Sequence, residues 1–109
     1  MNWEEGGLYW FQSGPDRFQV LKLLKLDDYG VHLRVYSNTF AAPPVRIDEQ
    51  TLFLGGVDPE AGGALGMGHL PVSLESFRSW QVTFVQPSRV VPEELEGYEL
   101  WQEARGGYF

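Results

Sequence analysis

The chain contains no cysteine. Disulfides and thiolate metal sites are therefore excluded. No stretch approaches the ~20 apolar residues that carry a helix across a bilayer, so no membrane association is expected. The segment Met1-Asn2-Trp3-Glu4-Glu5 is acidic and lacks a basic region followed by an apolar run, which is not the pattern of a secretory signal. A cytoplasmic protein is the expectation. Basic residues are scarce as well: eight Lys and Arg face fifteen Asp and Glu, for a formal net charge of −7. Nucleic-acid binding draws most of its affinity from neutralised phosphates, so this charge argues against a DNA or RNA partner.

Histidine is scarcer still. The chain has two, His32 and His69, in neither His-x-x-x-His nor His-Glu-x-x-His spacing, and no metal site is expected from them. The dinucleotide pattern, the phosphate-binding Gly-Lys-Ser/Thr and the G-x-S-x-G elbow are all missing. No cofactor is expected, and the active-site requirements are met too thinly for an enzyme to be the preferred reading.

What is present points to a folded domain. Of the 109 residues, 43% are hydrophobic and 15% aromatic, too many for a disordered chain. The length suits one domain over residues 1–109, able to bury roughly two-thirds of its unfolded surface. Residues 58–109 carry eight acids and three bases, so most of the negative excess lies there. A basic protein is the electrostatically favoured partner.

Strand signals dominate the first half. Leu8-Tyr-Trp-Phe-Gln12 is short and aromatic, and Ser13-Gly-Pro-Asp16 is turn chemistry. In the run from Arg17 to Leu26, Phe18, Val20, Leu24 and Leu26 fall on one strand face, with Leu21 and Leu23 on the other. Asp27-Asp-Tyr-Gly30 reads as a hairpin turn with Gly30 available for a left-handed position. Val31, Leu33 and Val35 alternate with His32, Arg34 and Tyr36, the pattern of an antiparallel strand with one face buried and His32 pointing outward. Pro43 and Pro44 mark an edge or an extended connection, and a short strand is expected near Thr51 to Leu54.

The second half mixes loop, helix and strand. Six of the thirteen glycines lie between residues 55 and 68, the mark of a long loop. Ser73 can cap a helix through Trp80, and Gln81 to Gln86 returns to strand. Pro92 can open a second helix, Glu93 and Glu94 suit its positive end, and Gly106 suits its exit. Leu95, Tyr98 and Trp101 would line the inner face of that helix, at a cost of ~1 kcal/mol for Gly97 in its interior. The predicted fold is mainly β, a β-rich α+β arrangement. It is a bent antiparallel sheet, or a small SH3-like partly open barrel, with one or two short helices. The predicted core includes Val20, Leu24, Leu33, Val35, Phe77, Trp80 and Phe84.

Two places carry candidate function. The first is the Gly-rich loop 62–73 around His69, with Gly66, Gly68, His69 and Ser73 as ligand-binding residues. A glycine-rich approach to a helix can present backbone N–H groups to an anion, although Pro71 interrupts the route. A Ser73–His69 nucleophile–base pair belongs to the same reading. Its plainer alternative is a connection that ends in a rigid Pro turn. The second place is the last helix, on which Glu96, Glu99 and Glu103 stack on one side. They form either a solvated face or an acidic docking strip for a basic protein.

Several segments together resemble a small bacterial family of unknown function. These are Phe18-Gln-Val-Leu-Lys-Leu-Leu24, Val31-His-Leu-Arg-Val-Tyr36, Gly68-His-Leu-Pro-Val-Ser73 with Phe77 and Trp80, and Glu94-Leu-Glu-Gly-Tyr-Glu-Leu-Trp101. The resemblance spans most of the chain and implies no activity, cofactor or catalytic residue. In size, acidity and β-rich design the chain is also similar to immunity proteins of bacterial toxin systems. That similarity implies a protein-binding module that inhibits a basic partner. The alternative is a small-molecule-binding protein or enzyme at the loop around His69.

Overall fold

Alternating apolar residues separated by turn chemistry build antiparallel sheets. In a computed structural model, which describes residues 3–55 and 64–109, they build one here. Five strands take the order β4-β3-β2-β1-β5, every pair antiparallel. They are β1 Leu8–Gly14, β2 Arg17–Leu26, β3 Gly30–Val35, β4 Met67–Ser73 and β5 Thr83–Gln86. The sheet is open, with β4 and β5 as its edges, and it does not close into the barrel that was the other expectation. Helix α1 spans Leu74–Ser79, and α2 spans Glu96–Glu103 behind a 3-10 turn at Pro92–Leu95. Among the described residues, no helix is long and apolar enough to cross a membrane.

Local chemistry explains the element ends. Asp16 takes a left-handed φ of 52° in the β1–β2 turn. The Asp27 carboxylate accepts from the Tyr29 and Gly30 amides and folds the β2–β3 turn. Ser73 caps α1 by accepting from the Ser76 amide, and Glu94 accepts from the Val91 amide at the start of the 3-10 turn. At the exit of α2 the left-handed residue is Arg105, φ 50°, rather than a glycine. Gly30 is not left-handed either. A side chain there would strike the Tyr108 ring, so the glycine serves close approach.

Both faces of the sheet are buried. Leu21, Leu23, Val31, Leu33, Val35 and Val72 form the first face with Tyr9, under Phe77 of α1; Trp3 meets Phe77 edge-on. Leu8, Val20, Tyr36 and Ile47 form a second cluster on the opposite face. Three departures from the sequence pattern have physical causes. A bulge at Leu24 sets Lys25 opposite His32 and Leu26 opposite Val31. It thereby carries Leu26 to the first face, away from Val20. Residues 49–51 form a 3-10 turn instead of opening a strand, because Asp48 caps them through the Gln50 amide. Phe84 is 43% exposed, since it lies on edge strand β5; Trp80 is half-buried, and both pack at the rim of a core they were expected to share.

Candidate functional site: two histidines beneath an acidic helix

The second face carries Lys22 and His32 as well as apolar residues, and both are buried. Lys22 Nζ donates to both carboxylate oxygens of Glu94, each at 3.1 Å, and to the Arg89 carbonyl at 2.8 Å. Arg34 approaches the same carboxylate at 3.8 Å. The ammonium therefore meets an opposite charge and a carbonyl where it leaves water, as a buried charge must.

His32 is 0% exposed, which reverses the outward orientation expected of it. Its Nδ1 lies 2.8 Å from His69 Nε2, and its Nε2 lies 2.9 Å from the Tyr108 hydroxyl. That hydroxyl donates to Asp27 Oδ2. One hydrogen per hydroxyl then fixes every direction in the chain of bonds. With its hydrogen donated to Asp27, the Tyr108 hydroxyl can only accept from His32, so His32 Nε2 carries a hydrogen. Neutral His32 then accepts at Nδ1 from His69 Nε2–H. The relay runs His69 to His32 to Tyr108 to Asp27 and leaves His69 Nδ1 as the nitrogen without a hydrogen.

Aromatic rings enclose this pair. The imidazole planes lie within 10° of each other with centroids 5.1 Å apart, an edge-to-edge arrangement set by the bond between them. Tyr98 and Trp101 of α2 stand edge-on to His32 at 4.6 and 4.4 Å. Lys25 Nζ lies 5.9 Å from the Tyr98 ring centroid. Gly97 makes the close packing possible, because a Cβ there would come within 2.5 Å of His69 Cβ. The helix-weakening glycine is thus the point where α2 rests on the histidine.

Burial sets the protonation states. It depresses the His32 pKa to about 4, helped by the charge of His69 and opposed by Asp27. Burial also lowers His69. Burial alone would raise the Asp27 carboxyl, but hydrogen bonds from Tyr108, Tyr29 and Gly30 outweigh it and hold the carboxyl below its ordinary value. Burial, then Asp27, pushes Tyr108 above its ordinary value. Near neutral pH the relay is two neutral imidazoles ending on a carboxylate.

The glycine-rich segment is not what its composition suggested. Residues 62 and 63 lie outside the described residues. Gly68, His69 and Ser73 belong to strand β4, because an edge strand tolerates both glycine and Pro71. Gly66 precedes that strand, where its bare Cα lets Ser37 and Leu54 approach; a Cβ would meet Ser37 Oγ at 2.5 Å. The Ser73 hydroxyl is occupied as the α1 cap. It lies four residues along the strand from His69, about 13 Å, so the two form no nucleophile–base pair. Two surface cavities, about 700 Å³ along Arg46–Gln50 and about 480 Å³ beside Trp3, Leu26, Asp27, Asp28 and Leu74, are not lined by His69.

Glu96, Glu99 and Glu103 are exposed on α2, on the side away from the histidines. Leu100 stands among them, 66% exposed. Positions 96, 99, 100 and 103 follow the i, i+3, i+4, i+7 rule and share one face. Sequence reading placed Tyr98 and Trp101 inward but missed Asp27, His32 and Tyr108 as partners of His69. The only local signal was the alternation that puts His32 and Arg34 on one face; Tyr108 gave none. Among the described residues, no group of three or more His, Cys, Asp or Glu side chains could hold a metal ion. Compared with known proteins, the chain matches no family model, no curated protein and no solved structure.

Proposed function

We propose that the protein is a small acidic protein-binding module that engages a basic partner through the outer face of α2, in the manner of an immunity-type inhibitor. One observation carries the reading: an exposed Leu100 stands within the exposed Glu96, Glu99 and Glu103 of a single helical face. An apolar centre within a polar rim is the ordinary layout of a protein–protein contact. The surrounding carboxylates would steer a basic surface into register and raise the association rate. The opposite side of the helix is held by Tyr98 and Trp101 against the histidines, so the contact face is presented on a fixed support. The formal charge of −7 favours the same class of partner at long range.

The test compares the wild-type chain with Glu96→Lys/Glu103→Lys and with Leu100→Ala as immobilised baits for a co-purifying basic protein, followed by association and dissociation rates with that protein. The charge reversal should slow association at low salt and matter less at high salt. Leu100→Ala should speed dissociation at either salt. Equal rates for all three folded proteins would sink the proposal. The other reading, a small-molecule site around His69, fits the described geometry less well, because that ring is packed under α2 and lines neither cavity.

A further inference from the structure

We propose that the His32–His69 pair is an acid-sensitive latch: it holds α2 and the Tyr108–Phe109 segment on the sheet while neutral and releases them when protonated. The inference rests on α2 being the contact element and adds its regulation: the partner would be bound near neutral pH and let go on acidification.

The geometry defines what protons do here. One added proton can be shared across the 2.8 Å bond between His32 Nδ1 and His69 Nε2. Two cannot, because each facing nitrogen would then carry a hydrogen and donor would oppose donor. With centroids 5.1 Å apart, two protonated rings would also be two like charges at close range. The groups that face them offer little compensation. Asp27, on the β2–β3 turn, is one side chain removed behind Tyr108. Lys25 of β2 sits over Tyr98 and adds positive charge. Arg34 and Lys22 on the sheet already share Glu94. Helix α2 contributes Tyr98 and Trp101, and β4 contributes His69 itself. Release would return both imidazoles to water, where each takes a proton near its ordinary pKa of 6.5.

What the pair holds is well defined. Trp101 packs on both His32 and Tyr108, and its Nε1 donates to the Gly107 carbonyl. The Phe109 amide donates to the Pro71 carbonyl, and the Ser73 amide donates to the Phe109 carbonyl, so the segment that carries Tyr108 lies along the edge of β4. The first-face core contains none of these groups, so it should survive the release. With two protons taken up, the open fraction should rise up to about a hundredfold per pH unit, tenfold per proton.

The experiment is an NMR titration of the isotope-labelled full chain from pH 7.5 to 4.5, reading backbone amides, the Trp101 indole and the histidine ring protons. The expected result is a loss of native shifts over 96–109 and at the Trp101 indole, in step with histidine titration, while Leu21, Leu33 and Phe77 keep theirs. His69→Gln retains a donor to His32 Nδ1 but removes one titrating site, and its release should move at least one pH unit toward acid. Tyr108→Phe keeps the ring and deletes the hydroxyl that His32 bonds, and its release should move toward neutral pH; it serves where His69→Gln does not fold. Helix α2 remaining docked at pH 4.5, whether or not the histidines titrate, overturns the latch. So does a single transition that takes the first-face core with it. No partner is needed, so failure here leaves the contact face standing. A working latch whose helix binds nothing leaves the latch standing and removes only the contact.

Discussion

The two faces of the sheet are buried by different chemistry. The first is mainly apolar, Leu21, Leu23, Val31 and Leu33 closed over by Phe77. The second mixes Leu8, Val20 and Ile47 with a buried lysine and a buried histidine. Burying a large aliphatic side chain contributes ~1.5–3 kcal/mol with little dependence on solution conditions. A buried polar group contributes only while its partner is present and its charge state is right. The first face is thus an unconditional core, and the second is conditional on Glu94, on Tyr108 and on pH.

Removing Glu94 should give the largest effect. Glu94→Ala leaves the Lys22 ammonium, whose side chain is 6% exposed, with the Arg89 carbonyl as its remaining partner. Losing one member of such a buried pair costs about 3–5 kcal/mol, to be read from urea denaturation. Adding Lys22→Met should recover much of the loss, and a double variant no better than Glu94→Ala would break the account of the second face. On the first face, Leu33→Ala should cost about 2–5 kcal/mol from lost burial and the cavity left behind. That cost should be the same at pH 7 and pH 5.5, and a pH-dependent loss would blur the contrast between the faces.

The wild-type chain should show a smaller effect with acid. His32 falls from an ordinary pKa of 6.5 to about 4 on folding, and His69 is lowered too. The unfolded chain therefore binds more protons in that window. The stability gained by keeping the histidines neutral is complete above about pH 6.5 and is lost as pH falls towards 4. Between about pH 6.5 and 5, most carboxylates are still ionised. A stability profile that stays flat there would remove the conditional character of the second face. The smallest change belongs to Glu96→Lys/Glu103→Lys, which touches neither face and should alter stability by less than ~0.5 kcal/mol per site. A larger loss by thermal denaturation would mean that these carboxylates support α2 rather than merely decorate it.

Much of the architecture was legible in the chain. Alternation located β3, turn chemistry bounded β2, and Ser73 and Pro92 marked where the helical segments begin. Periodicity says which residues share a face. It does not say whether another element covers that face. His32, Arg34 and Tyr36 looked solvated for that reason, although α2, more than sixty residues further along the chain, lies over His32. Leu24 hid a second fact: a bulged residue resets the phase of everything after it, and nothing in Leu-Leu-Lys-Leu announces one. The glycines near His69 suggested a loop because glycine and proline weaken most strands, yet an edge strand has one unpaired side on which Pro71 costs little. Of the candidate site, the acidic face of α2 and the inward Tyr98 and Trp101 could be read from helical spacing. The partnership of His69 with His32 and Tyr108 could not, since it joins three distant segments.

Pro71 and Phe109 together have a further consequence for a crowded solution. An open sheet edge invites strands from other molecules to add to it. On β4 the imide nitrogen of Pro71 offers no hydrogen to such a visitor, and the rungs at Pro71 and Ser73 are already filled by the backbone of Phe109. While Phe109 is in place, a second copy finds these two rungs of the rim taken. The segment carrying Phe109 thus works against strand addition at this part of the rim, beside the general repulsion of a negatively charged chain.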